Sequence, residues 1–95
     1  MVEDPILVVE VLSPGTERHD RRTKVPAYRE IETVNEILLI DSEAPYAEIL
    51  RREGGVWYRQ IIRGRDAELR LASVELRLPM AELYEGIDIQ ADTAS

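Results

Sequence analysis

The chain has 95 residues, enough for one small domain with one sheet and one or two helices around a modest core. It contains no cysteine, which excludes a disulfide framework and a thiolate zinc site, and its net charge of −7 argues, taken alone, against a nucleic-acid partner. The chain shows no signal-peptide pattern and its apolar runs are too short to cross a bilayer, so we expect a soluble cytoplasmic protein without a membrane partner.

The first predicted element is a strand over Ile6–Leu12, and its apolar run is typical of a strand buried on both faces. Glu10 interrupts that run. An ionised side chain in such a position is costly unless it has a partner or a cation. We therefore expect either that Glu10 has such a partner or that the strand is less buried than its sequence indicates, with Glu10 reaching solvent at a sheet edge.

A helical segment is predicted after the turn signal Ser13-Pro14-Gly15, and it ends near Glu30. Pro26 lies inside it, where a proline removes one backbone hydrogen bond and clashes with the preceding turn. The helix is therefore expected to begin as late as Thr23, or to kink beside Lys24.

Three polar residues of this segment, Asp20, Lys24 and Tyr28, lie four residues apart, so a regular helix projects them towards a similar side. Lys24 is the only lysine, beside eleven arginines. It also belongs to a basic cluster that is most simply a solvated helix face. The cluster comprises Arg18, Arg21, Arg22 and Lys24.

Strands dominate the rest of the chain, as a meander of antiparallel strands with Gly54-Gly55 as the strongest hairpin signal. Pro79 is predicted to open a short helical turn over residues 80–84. Residues 1–87 are predicted to form a single domain, and residues 88–95 a frayed tail. The predicted strands are Glu36–Asp41, Tyr46–Arg52, Val56–Ile62, Ala67–Leu71 and the alternating Val74, Leu76 and Leu78.

The residue inventory limits the chemistry that is available. His19 is the only histidine and lies in a charged loop, and the five glycines form no phosphate-binding loop, so histidine-rich metal sites, catalytic triads and nucleotide loops are poorly supported. Carboxylate and lysine chemistry remain, with Glu10 and Lys24 as the candidates.

The stretches "DPILVVEVLSPGTERHDRRTK", "EILLIDSEAPYAEILRR" and "LPMAELYEGI" resemble the Uma-type family of restriction endonucleases over nearly the whole chain. The core of the resemblance is Glu10-Val11-Leu12-Ser13-Pro14 with Thr16, Asp20, Lys24 and Tyr28 at the family spacing. It implies an α/β (α+β) fold of the restriction-endonuclease-like kind: a mixed, mostly antiparallel sheet with one main helix after the first strand.

The resemblance also implies a variant of the PD-(D/E)xK nuclease site, which would cleave DNA phosphodiester bonds with Mg²⁺ and no small-molecule cofactor. Carried over to this sequence, Glu10 is the metal-binding glutamate and Lys24 the catalytic lysine. Asp20 then orients Lys24, and Ser13 and Tyr28 support the site. Magnesium suits this role because it takes carboxylate oxygens and retains water.

The chain resembles only the carboxyl-terminal half of a family member, because the proline-aspartate strand that supplies the first metal ligand lies upstream of the matched segment. Asp4-Pro5 has the reverse order, and Asp4 lies roughly 20 Å from Glu10 along an extended chain, too far to share one ion. We therefore expect weak or no cleavage by this chain alone. The alternative is a non-catalytic remnant that acts as a small binding or dimerisation module, with a homodimer completing an exposed sheet edge.

Overall fold

The computed structural model describes residues 5–85, so the predicted tail over residues 88–95 lies outside the described residues. The strands within that range are β1 (Leu7–Leu12), β2 (Glu36–Asp41), β3 (Tyr46–Glu53), β4 (Val56–Arg63), β5 (Glu68–Leu71) and β6 (Leu76–Pro79). The helical elements are α1 (Glu17–His19), a π-helical turn (Asp20–Lys24), α2 (Val25–Arg29), a 3₁₀ turn (Ala72–Val74) and α3 over residues 80–85.

The main sheet has the strand order β1-β2-β3-β4, and β5 and β6 form a separate two-stranded sheet. β1 and β2 are parallel because the helical segment crosses from the end of one strand to the start of the next, whereas all other pairs are antiparallel. Gly54 and Gly55 have φ angles of 57° and 81° and close the β3–β4 hairpin, a conformation that favours glycine. The predicted mixed α+β fold, with a mostly antiparallel sheet and one main helical segment, is confirmed.

Apolar side chains alternate along β2 and divide between two clusters, one on each face of the main sheet. The face beneath the helical segment holds Leu12, Val25, Val34, Ile37, Leu39 and Leu50. The opposite face is covered by β5, β6 and α3 and holds Leu38, Ile40, Ala47, Ile49, Ile62, Leu69, Leu71, Met80 and Tyr84. Among the described residues, no helix combines the length and apolarity that a membrane span requires.

Within the described residues β1 is an edge strand of the main sheet, so it is less buried than its apolar run indicates, which was one of the two alternatives. Val9 is 51% exposed and Val11 40% exposed, whereas Leu7 packs partly against the cluster beneath β5, β6 and α3. β5, β6 and α3 lie mainly over β2 and β3 and leave the carboxyl-terminal half of β1 exposed on this face. A continuous apolar run did not distinguish an edge strand from a central one.

The helical segment begins at Glu17, earlier than the first alternative of Thr23, and the irregularity that accommodates Pro26 is a wide turn that ends at Lys24, beside which the second alternative placed a kink. The N–H of Val25 bonds to the carbonyl of Asp20, five residues back, instead of four. A turn of this width moves the Arg22 carbonyl away from the proline ring, which a regular α-helix would bring into contact.

The chain between β5 and β6 also differs from its prediction. Val74 belongs to the 3₁₀ turn, and Glu75 follows in the left-handed conformation with a φ of 53°, so β6 begins only at Leu76. The alternation of Leu76 and Leu78 was strand-like, but its extension back to Val74 ignored the turn that reverses the chain into a hairpin.

Candidate active site

Glu10 lies on β1 and projects to the face beneath the helical segment, where its side chain is 18% exposed. The hydroxyl of Tyr28 donates a hydrogen bond to Oε1, and the ammonium of Lys24 lies 3.7 Å from the same oxygen. Among the described residues, no hydrogen bond falls on Oε2. One oxygen of Glu10 is therefore anchored, while the other accepts no hydrogen bond from residues 5–85.

Lys24 is shared between two carboxylates. Its Nζ lies 3.3 Å from Oδ1 of buried Asp20, one four-residue step earlier in the π-helical turn, and 3.7 Å from Glu10. The lysine side chain is still 43% exposed. The two ion pairs fix the ammonium beside Glu10, while its exposed side can meet an anionic substrate.

Tyr28 orients Glu10 and stays protonated while doing so. Its hydrogen bond to Glu10, its burial and the negative charges of Glu10 and Asp20 together raise the pKa of Tyr28 to about 12. At physiological pH the phenol is therefore a neutral hydrogen-bond donor, and it cannot act as a general base.

Ser13 is not brought to the carboxylates. Its Oγ lies 2.9 Å from Oγ1 of Thr16, and its carbonyl accepts the N–H of Glu17 at 2.9 Å. These bonds shape the turn that leads into α1. The structure thus brings Glu10, Asp20, Lys24 and Tyr28 together and places Ser13 in the supporting turn.

A second ion pair beneath the same helical segment was not predicted. Arg21 donates two hydrogen bonds, of 3.1 and 2.9 Å, to the carboxylate of buried Glu48, which also accepts the hydroxyl of Tyr46 at 2.8 Å. Burial raises the pKa of Glu48, but the bonds from Arg21 and Tyr46 outweigh it, and the pKa lies below its ordinary value. The sequence signal was present, because Glu48 interrupts an apolar run just as Glu10 does.

The two ion pairs lie in one row of the sheet. Glu10 pairs with Leu39 of β2, and Leu39 pairs with Glu48 of β3, so all three project to the same face and the two glutamates are roughly 10 Å apart at the backbone. Lys24 reaches one end of this row and Arg21 the other. The helical segment is therefore attached to the sheet at two points.

Comparisons with known proteins identify the family of this chain. The sequence profile of the Uma2 family, described as "Putative restriction endonuclease", matches residues 1–81. The chain belongs to the Uma2 family.

Two relatives of this Uma2 chain extend the comparison. It is 32% identical over 84 residues to an uncharacterized protein of Synechocystis sp., slr1290, covering 87% of this chain and 44% of the relative. The fold is similar to the crystal structure of an Anabaena variabilis protein described as a "putative nuclease belonging to DUF820", with a TM-score of 0.68 and 17% identity over 90% of this chain and 47% of that one. The chain spans less than half the length of either relative.

In this Uma2 chain, the candidate site has one accessible carboxylate, that of Glu10, which could bind a hard cation. Within residues 5–85, no three histidine or acidic side chains converge into a metal site. Glu10 nevertheless fits magnesium, because Oε2 accepts no hydrogen bond within residues 5–85 and Mg²⁺ commonly takes one or two carboxylates and completes its shell with water and phosphate oxygens. Asp4, which the sequence argument rejected as the second ligand, lies outside the described residues.

Proposed function

We propose that this Uma2 chain carries the glutamate–lysine half of a magnesium-dependent DNA endonuclease site that hydrolyses phosphodiester bonds in the cytoplasm. The observation that carries the proposal is the convergence of Glu10, Asp20, Lys24 and Tyr28, from one strand and one helical segment, at a partly exposed position. Family membership supports the reaction class, and the free oxygen of Glu10 supports the cation.

Each residue of the cluster has a separate task. Glu10 would hold Mg²⁺ through Oε2, and the bound ion supplies charge stabilisation for the phosphate and a more acidic water. Lys24 donates a hydrogen bond to a non-bridging phosphate oxygen as negative charge develops there, a role that suits a compact ammonium. Asp20 holds that ammonium in place, and Tyr28 fixes the orientation of the Glu10 carboxylate.

Nicking of supercoiled plasmid DNA tests the proposal. We expect magnesium-dependent conversion to the open circle by the purified chain, weak because one carboxylate is supplied, and its reduction by at least tenfold in Glu10→Gln and in Lys24→Met. Glu30→Gln is the matched control, because Glu30 is an exposed acid next to α2 whose side chain makes no hydrogen bond or ion pair with the described residues.

Two results would contradict the proposal. One is the absence of nicking at every magnesium concentration, and the other is nicking that survives in Glu10→Gln at the level of Glu30→Gln. Circular dichroism of each variant separates loss of activity from loss of fold.

A second candidate function is a non-catalytic binding or dimerisation module. The observation that favours it is the single accessible carboxylate of the described site, since losing one of two metal carboxylates removes most of the metal affinity. Binding of a DNA duplex without cleavage, equal in the presence of Mg²⁺ and of a chelator, distinguishes this candidate from the endonuclease.

A further inference from the structure

We propose that Arg52 of β3 is a positioning residue for the candidate active site, because it holds the end of α2 and thereby keeps Tyr28 against Glu10. The inference rests on the proposed function, since it takes Tyr28 and Glu10 as parts of that site. It gives a role in the site to an arginine whose own hydrogen bonds go to backbone carbonyls.

The guanidinium of Arg52 binds three carbonyls where α2 ends. Nη2 donates hydrogen bonds to the carbonyls of Arg29 and Ile31 at 2.8 and 3.1 Å, and Nη1 donates one to that of Glu32 at 3.0 Å. The last carbonyls of a helix lack partners within the helix and carry partial negative charge, so a cation is favourable there. Arg52 therefore caps α2 from a strand of the sheet.

Two contacts hold Arg52 itself in place. Its backbone N–H donates to the carbonyl of Asn35 at 2.8 Å, and its guanidinium lies 4.8 Å from the ring centroid of Trp57. Trp57 is its neighbour across the β3–β4 ladder. The aromatic face attracts the cation and restricts the orientation of the planar group. The three carbonyls therefore meet a donor whose position is already fixed.

Tyr28 lies directly beside this cap. α2 is five residues long, and its last residue, Arg29, follows Tyr28 in the chain. A helix this short is not stable alone, so contacts with the rest of the fold decide where it lies. The hydroxyl of Tyr28 must reach Oε1 of Glu10 on the sheet, and a displacement of α2 by about 1 Å takes the two oxygens beyond hydrogen-bond length.

β3 thus holds the helical segment on both sides of the site. Glu48 accepts the guanidinium of Arg21 near the start of the segment, and Arg52 binds carbonyls at its end. The two β3 residues lie four positions apart, roughly 13 Å along the strand, and project to the same face. Lys24 and Tyr28 lie between these two attachments in the sequence, so Arg52 adds a hold on the backbone to the ion pairs of the side chains.

NMR of the full chain, isotope-labelled at the ζ carbons of its tyrosines, tests this role without Mg²⁺ or DNA. The chemical shift of that carbon reports the hydrogen bond of the hydroxyl attached to it. In Arg52→Met we expect the Tyr28 signal to move at least halfway towards that of Tyr58, which is 55% exposed. The signals of Tyr46 and Tyr84, whose hydroxyls bond elsewhere in the fold, should stay in place. A general loosening of the fold would move these signals together with that of Tyr28.

Two further variants complete the experiment. Arg77→Met is the matched control, because Arg77 is an exposed arginine of β6 whose side chain makes no hydrogen bond or ion pair with the described residues. Arg52→Lys keeps the positive charge but loses the planar group that faces three carbonyls. Its Tyr28 signal should lie between those of the wild type and of Arg52→Met.

A Tyr28 signal that stays in place in folded Arg52→Met overturns the role of Arg52. So do Tyr46 and Tyr84 signals that move as far as that of Tyr28, or an equal movement in Arg77→Met. If Arg52→Met does not fold, Arg52→Lys decides, and an unmoved Tyr28 signal in that variant overturns the role. These outcomes are separate from catalysis: a chain that does not nick DNA refutes only the endonuclease, and an unmoved Tyr28 signal refutes only the role of Arg52.

Discussion

Glu10 and Glu48 are two carboxylates in one row of the sheet, and they are held in different ways. Glu48 is buried and its two oxygens accept hydrogen bonds from Arg21 and Tyr46. Glu10 is anchored on one oxygen only and its cation, Lys24, is less buried than Arg21. A carboxylate whose two oxygens both accept hydrogen bonds is suited to a structural role, whereas one that accepts a hydrogen bond on a single oxygen is suited to binding a ligand.

Arg21→Met tests the structural role of the Glu48 pair. The substitution leaves a buried carboxylate without its cation, and we expect a loss of roughly 2–3 kcal/mol of unfolding free energy. This loss is smaller than for a fully buried ion pair, because Arg21 is one-third exposed and water can partly replace its guanidinium. Urea unfolding, followed by circular dichroism, measures the loss.

The double variant Arg21→Met with Glu48→Leu is the control for that experiment. Removing both charges should recover more than half of the stability lost in the single variant, because no unpaired charge remains. If the two substitutions were instead additive, Arg21 and Glu48 would not act as a pair.

At the scale of elements, the β5–β6 hairpin is tied to the main sheet by one carboxylate. Buried Glu36 of β2 accepts the backbone N–H groups of Ala72 and Ser73 at 3.2 and 2.6 Å and the guanidinium of Arg51 at 2.9 Å. Burial raises the pKa of Glu36, but the hydrogen bonds from Ser73 and the charge of Arg51 lower it more, so the pKa lies below its ordinary value of 4.5.

This tie predicts an acid-sensitive hairpin. Because its pKa is lower in the folded chain, Glu36 contributes stability that is present above pH 4.5, its pKa in the unfolded chain. That stability is lost as the pH falls through the lower pKa of the folded state. We expect the amide protection factors of Ala72 and Ser73, measured by hydrogen exchange, to fall in that range. In Glu36→Gln they should be low already at neutral pH, whereas Glu68→Gln, an exposed acid on β5, should behave as the wild type.

The sequence predicted which polar side chains lie together better than it predicted the surroundings of the strand that carries Glu10. The four-residue spacing of Asp20, Lys24 and Tyr28 predicted that their side chains project towards a similar side. The π-helical turn does not change this, because residues four apart are neighbours on both an α-helix and a π-helix. The exposure of β1 was left as one of two alternatives, because the neighbours of a strand are set by topology, which an apolar run does not encode. The pairing of Arg21 with Glu48 spans 27 residues and crosses from helix to sheet, beyond the reach of local spacing.

At the scale of the whole molecule, the two faces of the main sheet are covered by different elements. One face carries the helical segment with the candidate active site, and the other carries the hairpin and α3 that complete the core. A ligand at Glu10 therefore binds one side of a sheet that is stabilised from the other. Such a ligand should stabilise the folded chain as a unit.

Thermal unfolding with increasing Mg²⁺ tests that coupling. A cation that binds only the folded chain adds about 2.7 kcal/mol at a hundredfold excess over its dissociation constant, so the melting temperature should rise with magnesium. The rise should be absent in Glu10→Gln and retained in Glu30→Gln. An equal rise in all three proteins would show that magnesium acts on the chain's general negative charge instead.

The two-point attachment of the helical segment has a consequence for how this chain can diversify. Lys24 and Arg21 fasten its inner side to the sheet, whereas Arg18 and Arg22 are exposed on its outer side and form no ion pair within residues 5–85. Substitutions at those outer positions leave the lysine where it is. Sequence drift on the outer side can thus change the surface that the segment presents to solvent, while the placement of Lys24 beside Glu10 is kept.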